Sequence, residues 1–159
     1  MPRFNMERML KEYVEKFYAP ASAHWRKVSA DGFAGIRQLA EWKGRVRAAW
    51  SGIKLRRVDA PVARVRYGET VRIEVAVQLN GLKPEDLTVE LVFNRPNERN
   101  PIRANRFRLQ QHEPLPGGEH LYVRDLTPEQ CGKLEYRVRA HPTHPLFTHP
   151  LEMGMMAWL

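Results

Sequence analysis

Val71, Ile73, Val75, Val77 and Leu79 recur at every second position, with Arg72, Glu74, Ala76 and Gln78 between them. A period of two is a β-strand with one face in a core and the other toward water. Leu87, Val89, Leu91 and Phe93 repeat the pattern. Leu134, Tyr136, Val138 and Ala140 repeat it again, with Lys133, Glu135, Arg137 and Arg139 expected to face out. Shorter strands are expected near 53–58, 62–66, 103–110, 119–125 and 153–158. Turn chemistry separates them at Tyr67-Gly68-Glu69, Leu82 to Asp86, Pro96-Asn97-Glu98, Pro116-Gly117-Gly118 and Thr127-Pro128-Glu129. Strands at this spacing with no helices between them predict an antiparallel, immunoglobulin-like β-sandwich over 53–159. Cys131 is the one cysteine, so the antibody-type disulfide is excluded.

Residues 1–52 follow another rule. Met6, Met9, Leu10, Tyr13, Val14, Phe17 and Tyr18 mark one face of a helix, with Asn5 as its N-cap and Glu7 in its first turn. Ala19-Pro20 is expected to end or offset that helix. Ser29-Ala30-Asp31-Gly32 is a break, after which Ile36, Leu39, Ala40, Val46 and Trp50 line a second long helix closed by Ser51-Gly52. The fold class is therefore α+β, a helical segment followed by a sandwich. These helices carry Tyr13, Phe17, Tyr18, Trp25, Trp42 and Trp50, a large aromatic load for so short a segment. Helices apolar over this much circumference need a partner surface or a second copy of the chain.

Composition narrows the function. With 159 residues and 43% hydrophobic content, the chain can bury a core. It has no apolar run near the ~20 residues of a membrane span, and its first residues carry no signal-peptide pattern. One cysteine fits a reducing cytoplasm. The net charge of +8 raises nucleic acid as a partner. However, the arginines are scattered along strands without interleaved aromatic residues, which argues against it.

Candidate chemistry is sparse. His141, His144 and His149, each before a proline, could supply nitrogen ligands to a metal. Their spacing matches no local zinc pattern, so they read as a stiff surface crossing into a terminal strand. Leu151, Met153, Met155 and Trp158 are then expected to return to the body of the protein. Cys131 sits in a turn with no activating neighbour. Glu85 and Asp86 follow Pro84 as turn chemistry. No phosphate loop, GxSxG or HExxH occurs. No catalytic, cofactor or metal residue is assigned. Trp25, Trp42 and Tyr122 are the candidates for contact with a glucan or a partner, as expected of a carbohydrate-binding module.

Two helical stretches and two strand stretches, in order, carry a resemblance. They are Phe4 to Ala21 with Arg8, Glu12, Tyr13, Tyr18 and Pro20; Leu39 to Lys43 with Arg45, Val46 and Trp50; Val77 to Leu91 with Gly81, Leu82, Pro84, Asp86 and Glu90; and Tyr136 to Pro142, then His144-Pro145, Pro150 to Gly154 and Trp158. Together they resemble the C-terminal region of the long-form bacterial and archaeal α-glucan (glycogen/maltodextrin) phosphorylases. Members are pyridoxal-phosphate-dependent glycosyltransferases that release glucose 1-phosphate from α-1,4-glucan. The resemblance implies that the cofactor lysine and the phosphate- and glucan-binding groups lie upstream. It implies no catalytic residue and no cofactor in this chain, a structural or assembly role, and an upstream catalytic part as partner. A stand-alone sugar- or protein-binding sandwich is the alternative.

Overall fold

The computed structural model describes residues 5–60, 62, 64–94, 106–128 and 135–159. Helices come first and antiparallel sheets follow, so the chain is α+β. It forms two compact units, Met1–Gly44 with His144–Thr148, and Arg45–Thr143 with His149–Leu159.

Helix α1 spans Met6–Tyr13, a π-helical turn covers Val14–Tyr18, and helix α2 runs Ala19–Ala49. Of the two outcomes expected at Ala19-Pro20, the structure shows the offset: Pro20 does not end the helix, and α2 starts at Ala19 after the π turn. Proline has no N–H to give back to the preceding turn, and the widened π turn lies directly ahead of it. The expected break does occur inside α2. Asp31, Gly32 and Phe33 all take left-handed φ, of 51°, 60° and 65°. Glycine enters that region freely, whereas a phenylalanine there is strained.

The loop His144–Thr148 folds onto α2 within the same unit. Trp42 is buried against His144 and Phe147, with ring centroids 4.8 and 5.4 Å away. Lys43 Nζ sits 5.5 Å from the Phe147 ring, and Lys27 Nζ donates to the Pro145 carbonyl at 3.0 Å. At Gly35 an added Cβ would already touch Leu146 Cδ1 at 3.4 Å. Past Gly44, α2 ends at Ala49, whose carbonyl accepts a hydrogen bond from Asn80 Nδ2 at 2.8 Å. This satisfies one of the carbonyls a helix end leaves open.

The other unit holds strands β1 Lys54–Arg57, β2 Val71–Gln78, β3 Leu87–Asn94, β4 Arg106–Arg108, β5 Gln110–Leu115, β6 Glu119–Leu126, β7 Glu135–Pro142 and β8 Ala157–Trp158. They make two four-stranded sheets, in the orders β1-β2-β6-β5 and β4-β3-β7-β8. Every pairing is antiparallel. The alternating residues do what their period requires. Ile73, Val75 and Val77 of one sheet share a core with Leu87, Val89, Leu91, Phe93, Val138 and Ala140 of the other. Each such side chain taken fully from water stabilises the fold by ~1.5–3 kcal/mol.

Several expectations need correction. Residues 62 and 64–66 form no strand. The terminal strand shrinks to Ala157–Trp158, and Trp158 is 50% exposed rather than buried. Leu151, Met153 and Met155 are half-buried. Within the strand expected near 103–110, residues 106–108 form β4, Gln110 opens β5, and 103–105 lie outside the described residues; β5 itself has almost no apolar residues to announce it. It is an exposed edge strand with a register shift between Gln111 and Pro114, features that blunt an edge. Arg139, expected to face out, is buried. Leu134, Lys133, Cys131 and the Pro96–Glu98 turn lie outside the described residues.

Candidate interaction surface

Local sequence builds an apolar helix face from the first turn. Asn5 Oδ1 accepts the Glu7 N–H at 2.9 Å and starts α1. On the polar side, Arg8 meets Glu12 at 3.6 Å, Lys16 meets Glu12 at 3.3 Å and Lys11 meets Glu15 at 3.9 Å, all four residues apart. Exposed pairs of this kind add only ~0.3–0.5 kcal/mol each, but they fix which face stays wet. The other face carries Met6, Met9, Leu10, Tyr13, Val14, Phe17 and Tyr18, each 44–66% exposed.

The π turn completes that face. In a regular α-helix, residues five apart point in different directions. A π turn bonds residue to residue five apart, and the Ala19 N–H reaches the Val14 carbonyl. Tyr13 and Tyr18 are thereby brought together, with ring centroids 6.4 Å apart, and Phe17 lies 5.6 Å from Tyr13. A second exposed pair, Trp25 and Phe33, meets edge to face at 5.9 Å. Phe33 reaches Trp25 from the strained left-handed break. Sequence periodicity placed Tyr13, Phe17 and Tyr18 on one face, but a regular helix gives Tyr18 no reason to stack on Tyr13. A Pro after an aromatic run was the available signal.

The singled-out aromatics have different fates. Trp25 is exposed on the helical unit and Trp42 is buried there, without an open ring face. Tyr122 belongs to β6, is buried, and donates its hydroxyl to the Pro84 carbonyl at 3.3 Å. Burial pushes its phenol up to about 12.

The histidines also separate. His141 is buried, with Nδ1 3.1 Å from the Pro142 carbonyl and Nε2 3.6 Å from Glu90 Oε1. His144 stacks on Trp42, and its Nδ1 accepts the Leu146 N–H at 3.1 Å. Of these three, His149 is the plainly exposed one. Among the described residues, no three His, Cys, Asp or Glu side chains form a group able to hold a metal ion. Several arginines have carboxylate partners: Arg56 with Glu119, Arg57 with Asp59, Arg72 with Glu74 and Arg139 with Glu90. Two open clefts border β5, of about 490 and 310 Å³, and both are lined by Gln110, Gln111 and Arg124. Among the described residues no helix is long and apolar enough to cross a membrane.

Residues 50–159 match the model of the glycogen phosphorylase C-terminal domain. The chain belongs to that family. The phosphorylase relatives extend the likeness through the helices as well. Maltodextrin phosphorylase of Thermococcus litoralis is 30% identical over 164 residues, covering 99% of this chain. Glycogen phosphorylases of Mycobacterium bovis and Mycobacterium tuberculosis are 29% identical over 159 residues, covering 98% of it. The chain spans 18% of the length of each of these curated relatives. The apolar helix face thus lies in a segment shared with phosphorylases, directly ahead of the C-terminal domain.

Proposed function

We infer that this chain is the non-catalytic C-terminal portion of an α-glucan phosphorylase, with a structural or assembly role. The parent reaction is phosphorolysis of α-1,4-glucan to glucose 1-phosphate. The observation that carries the reading is the exposed face of Met9, Leu10, Tyr13, Phe17 and Tyr18 in a stretch shared with phosphorylases more than five times as long. In this reading the face docks on the catalytic part that lies upstream in the relatives. Aromatic rings pre-packed against one another lose little freedom on binding, and such residues dominate protein interfaces.

The strand orders support an immunoglobulin-like sandwich. Numbered along the chain, β1-β2-β6-β5 and β4-β3-β7-β8 follow the A-B-E-D and C′-C-F-G arrangement of such domains. Pyridoxal phosphate belongs to the upstream part in this reading. Neither cleft beside β5 is lined by a lysine, so the residues there do not fit a cofactor held through a lysine imine.

Two measurements test this. The purified chain with maltodextrin, phosphate and pyridoxal phosphate is expected to release no glucose 1-phosphate above background. Mixed with the catalytic part of a phosphorylase relative that lacks its own C-terminal region, it is expected to sediment as a complex, and Phe17→Glu to abolish that complex. Turnover by the chain alone, or a complex indifferent to Phe17→Glu, overturns the reading. Self-association through the same face, with no affinity for the catalytic part, also does so.

A further inference from the structure

Arg139 is a buried cation, 6% exposed, whose hydrogen bonding is incomplete on one side. Its Nε donates to Glu90 Oε1 at 2.6 Å, its Nη2 has no aligned acceptor, and its Nη1 meets Met156 Sδ at 3.6 Å. A thioether sulfur is a weak acceptor, so the guanidinium finds its poorest partner where a strong one is missing. Met156 is 38% exposed, so its side chain opens to solvent while its sulfur rests on the buried charge. We propose that Met156 is a modification site for peroxide, and that its sulfoxide tightens the hold of residues 156–159 on β7.

The chemistry is an oxygen transfer. A sulfur lone pair attacks one oxygen of hydrogen peroxide. The S–O bond forms as the O–O bond breaks, and the other oxygen leaves as water. Sulfur loses two electrons and the peroxide gains them. The product is methionine sulfoxide, a polar group where an apolar one stood. In an apolar core that change disrupts packing. Beside Arg139 it has the opposite sign, because the new oxygen is a strong acceptor next to Nη1. Hydrogen bonds from an ionised donor are roughly twice as strong as neutral ones.

The fold makes this one contact matter. Strand β8 has two residues, held by the pairs Arg139 with Trp158 and Ala140 with Ala157. The Leu159 N–H adds a hydrogen bond to the Val138 carbonyl at 3.0 Å, and the Trp158 ring covers the guanidinium at 5.5 Å. So short an edge opens locally at low cost, and whatever strengthens its grip on Arg139 raises that cost. Met6 and Met9 are 66% and 44% exposed on the α1 face, and Met153 and Met155 are half-buried. Among the described residues, Met156 is the methionine whose sulfur meets a buried guanidinium. Oxidation at the other four adds polarity without that compensation.

The inference does not depend on docking to a catalytic part. Its test treats the full chain and Met156→Leu with hydrogen peroxide in parallel, so that Cys131 and the other methionines are present in both. Peptide mass spectrometry follows sulfoxide at each methionine, and amide hydrogen exchange follows opening at 157–159. Met156 is expected to convert at the dose that converts Met6 and Met9. Exchange at 157–159 is then expected to slow about tenfold in the parent, the scale of one hydrogen bond to a charged group, and to stay unchanged in Met156→Leu. Methionine sulfoxide reductase is expected to restore the original rate. Met156→Gln, which carries a permanent amide oxygen, is expected to exchange more slowly than Met156→Leu without peroxide. Faster exchange after oxidation overturns the proposal, as does an equal change in Met156→Leu. So does a Met156 that stays reduced while Met6 and Met9 are oxidised, or a Met156→Gln chain no better protected than Met156→Leu.

Discussion

Arg139 and Glu90 face each other across the β7–β3 pairing, on the side of the sheet opposite the hydrophobic core. Arg139 Nε donates to Glu90 Oε1 at 2.6 Å, and Nη2 lies 2.5 Å from the same oxygen without the alignment of a hydrogen bond. Both side chains are buried. The Trp158 ring covers the guanidinium at 5.5 Å, Met156 Sδ sits 3.6 Å from Nη1, and His141 closes the third side of the carboxylate. Removing one partner leaves the other charge uncompensated in a poorly hydrated place. Glu90→Ala is therefore expected to lower stability by roughly 3–5 kcal/mol in urea unfolding. Glu90→Leu combined with Arg139→Met is expected to cost clearly less. A double variant as unstable as the single one would mean that the pair is not what the site needs.

The C-terminal segment is held through those same contacts. Trp158→Ala is expected to cost about 1–2 kcal/mol, because a half-exposed ring over a desolvated guanidinium is lost. His144→Ala is expected to cost about 1 kcal/mol through the Trp42 stack. His149→Ala is expected to stay within about 0.5 kcal/mol, as for other exposed positions. Thermal melts of the three variants check the ranking, and equal effects at His144 and His149 would contradict the packing described here.

Tyr122 gives the fold an alkaline limit. Its phenol is pushed up to about 12 by burial, so the folded chain holds the proton more tightly than the unfolded chain does. Its contribution is complete below the unfolded value near 10 and is lost as pH rises toward 12. Tyr136, raised by burial as well, acts with the same sign. Unfolding measured between those pH values is expected to show stability falling. Tyr122→Phe is expected to flatten that slope while removing one hydrogen bond to Pro84.

Gly52 and Asn80 form a contact with no spare room. A Cβ on Gly52 would lie 2.3 Å from Asn80 Nδ2, the atom that caps Ala49. Gly52→Ala is expected to displace that amide and cost about 1–3 kcal/mol, the penalty of an unmet polar group. Asn80→Ala is expected to cost a similar amount, since it loses the cap and leaves an alanine at a φ of 48°. A Gly52→Ala chain as stable as the parent by calorimetry would refute the steric argument.

Periodicity carried most of the fold. Alternation over 71–79 and 87–93 and the helix face over Met6–Phe17 are local properties, because a side chain's direction follows from backbone geometry alone. They sufficed for α+β with antiparallel sheets, and the ordered motifs sufficed for the phosphorylase family. Local pattern could not show β5, whose exposed polar residues obey no burial constraint. Nor could it show that Arg139, in an outward register, would be covered by residues 156–158. The stack of Tyr18 on Tyr13 needed a π turn, and the seating of Trp42 needed a loop a hundred residues away in sequence. Each of these depends on which distant segments share space. The sequence by itself determined which residues must leave water; the tertiary structure decided which charges leave with them, and which aromatic rings stay exposed.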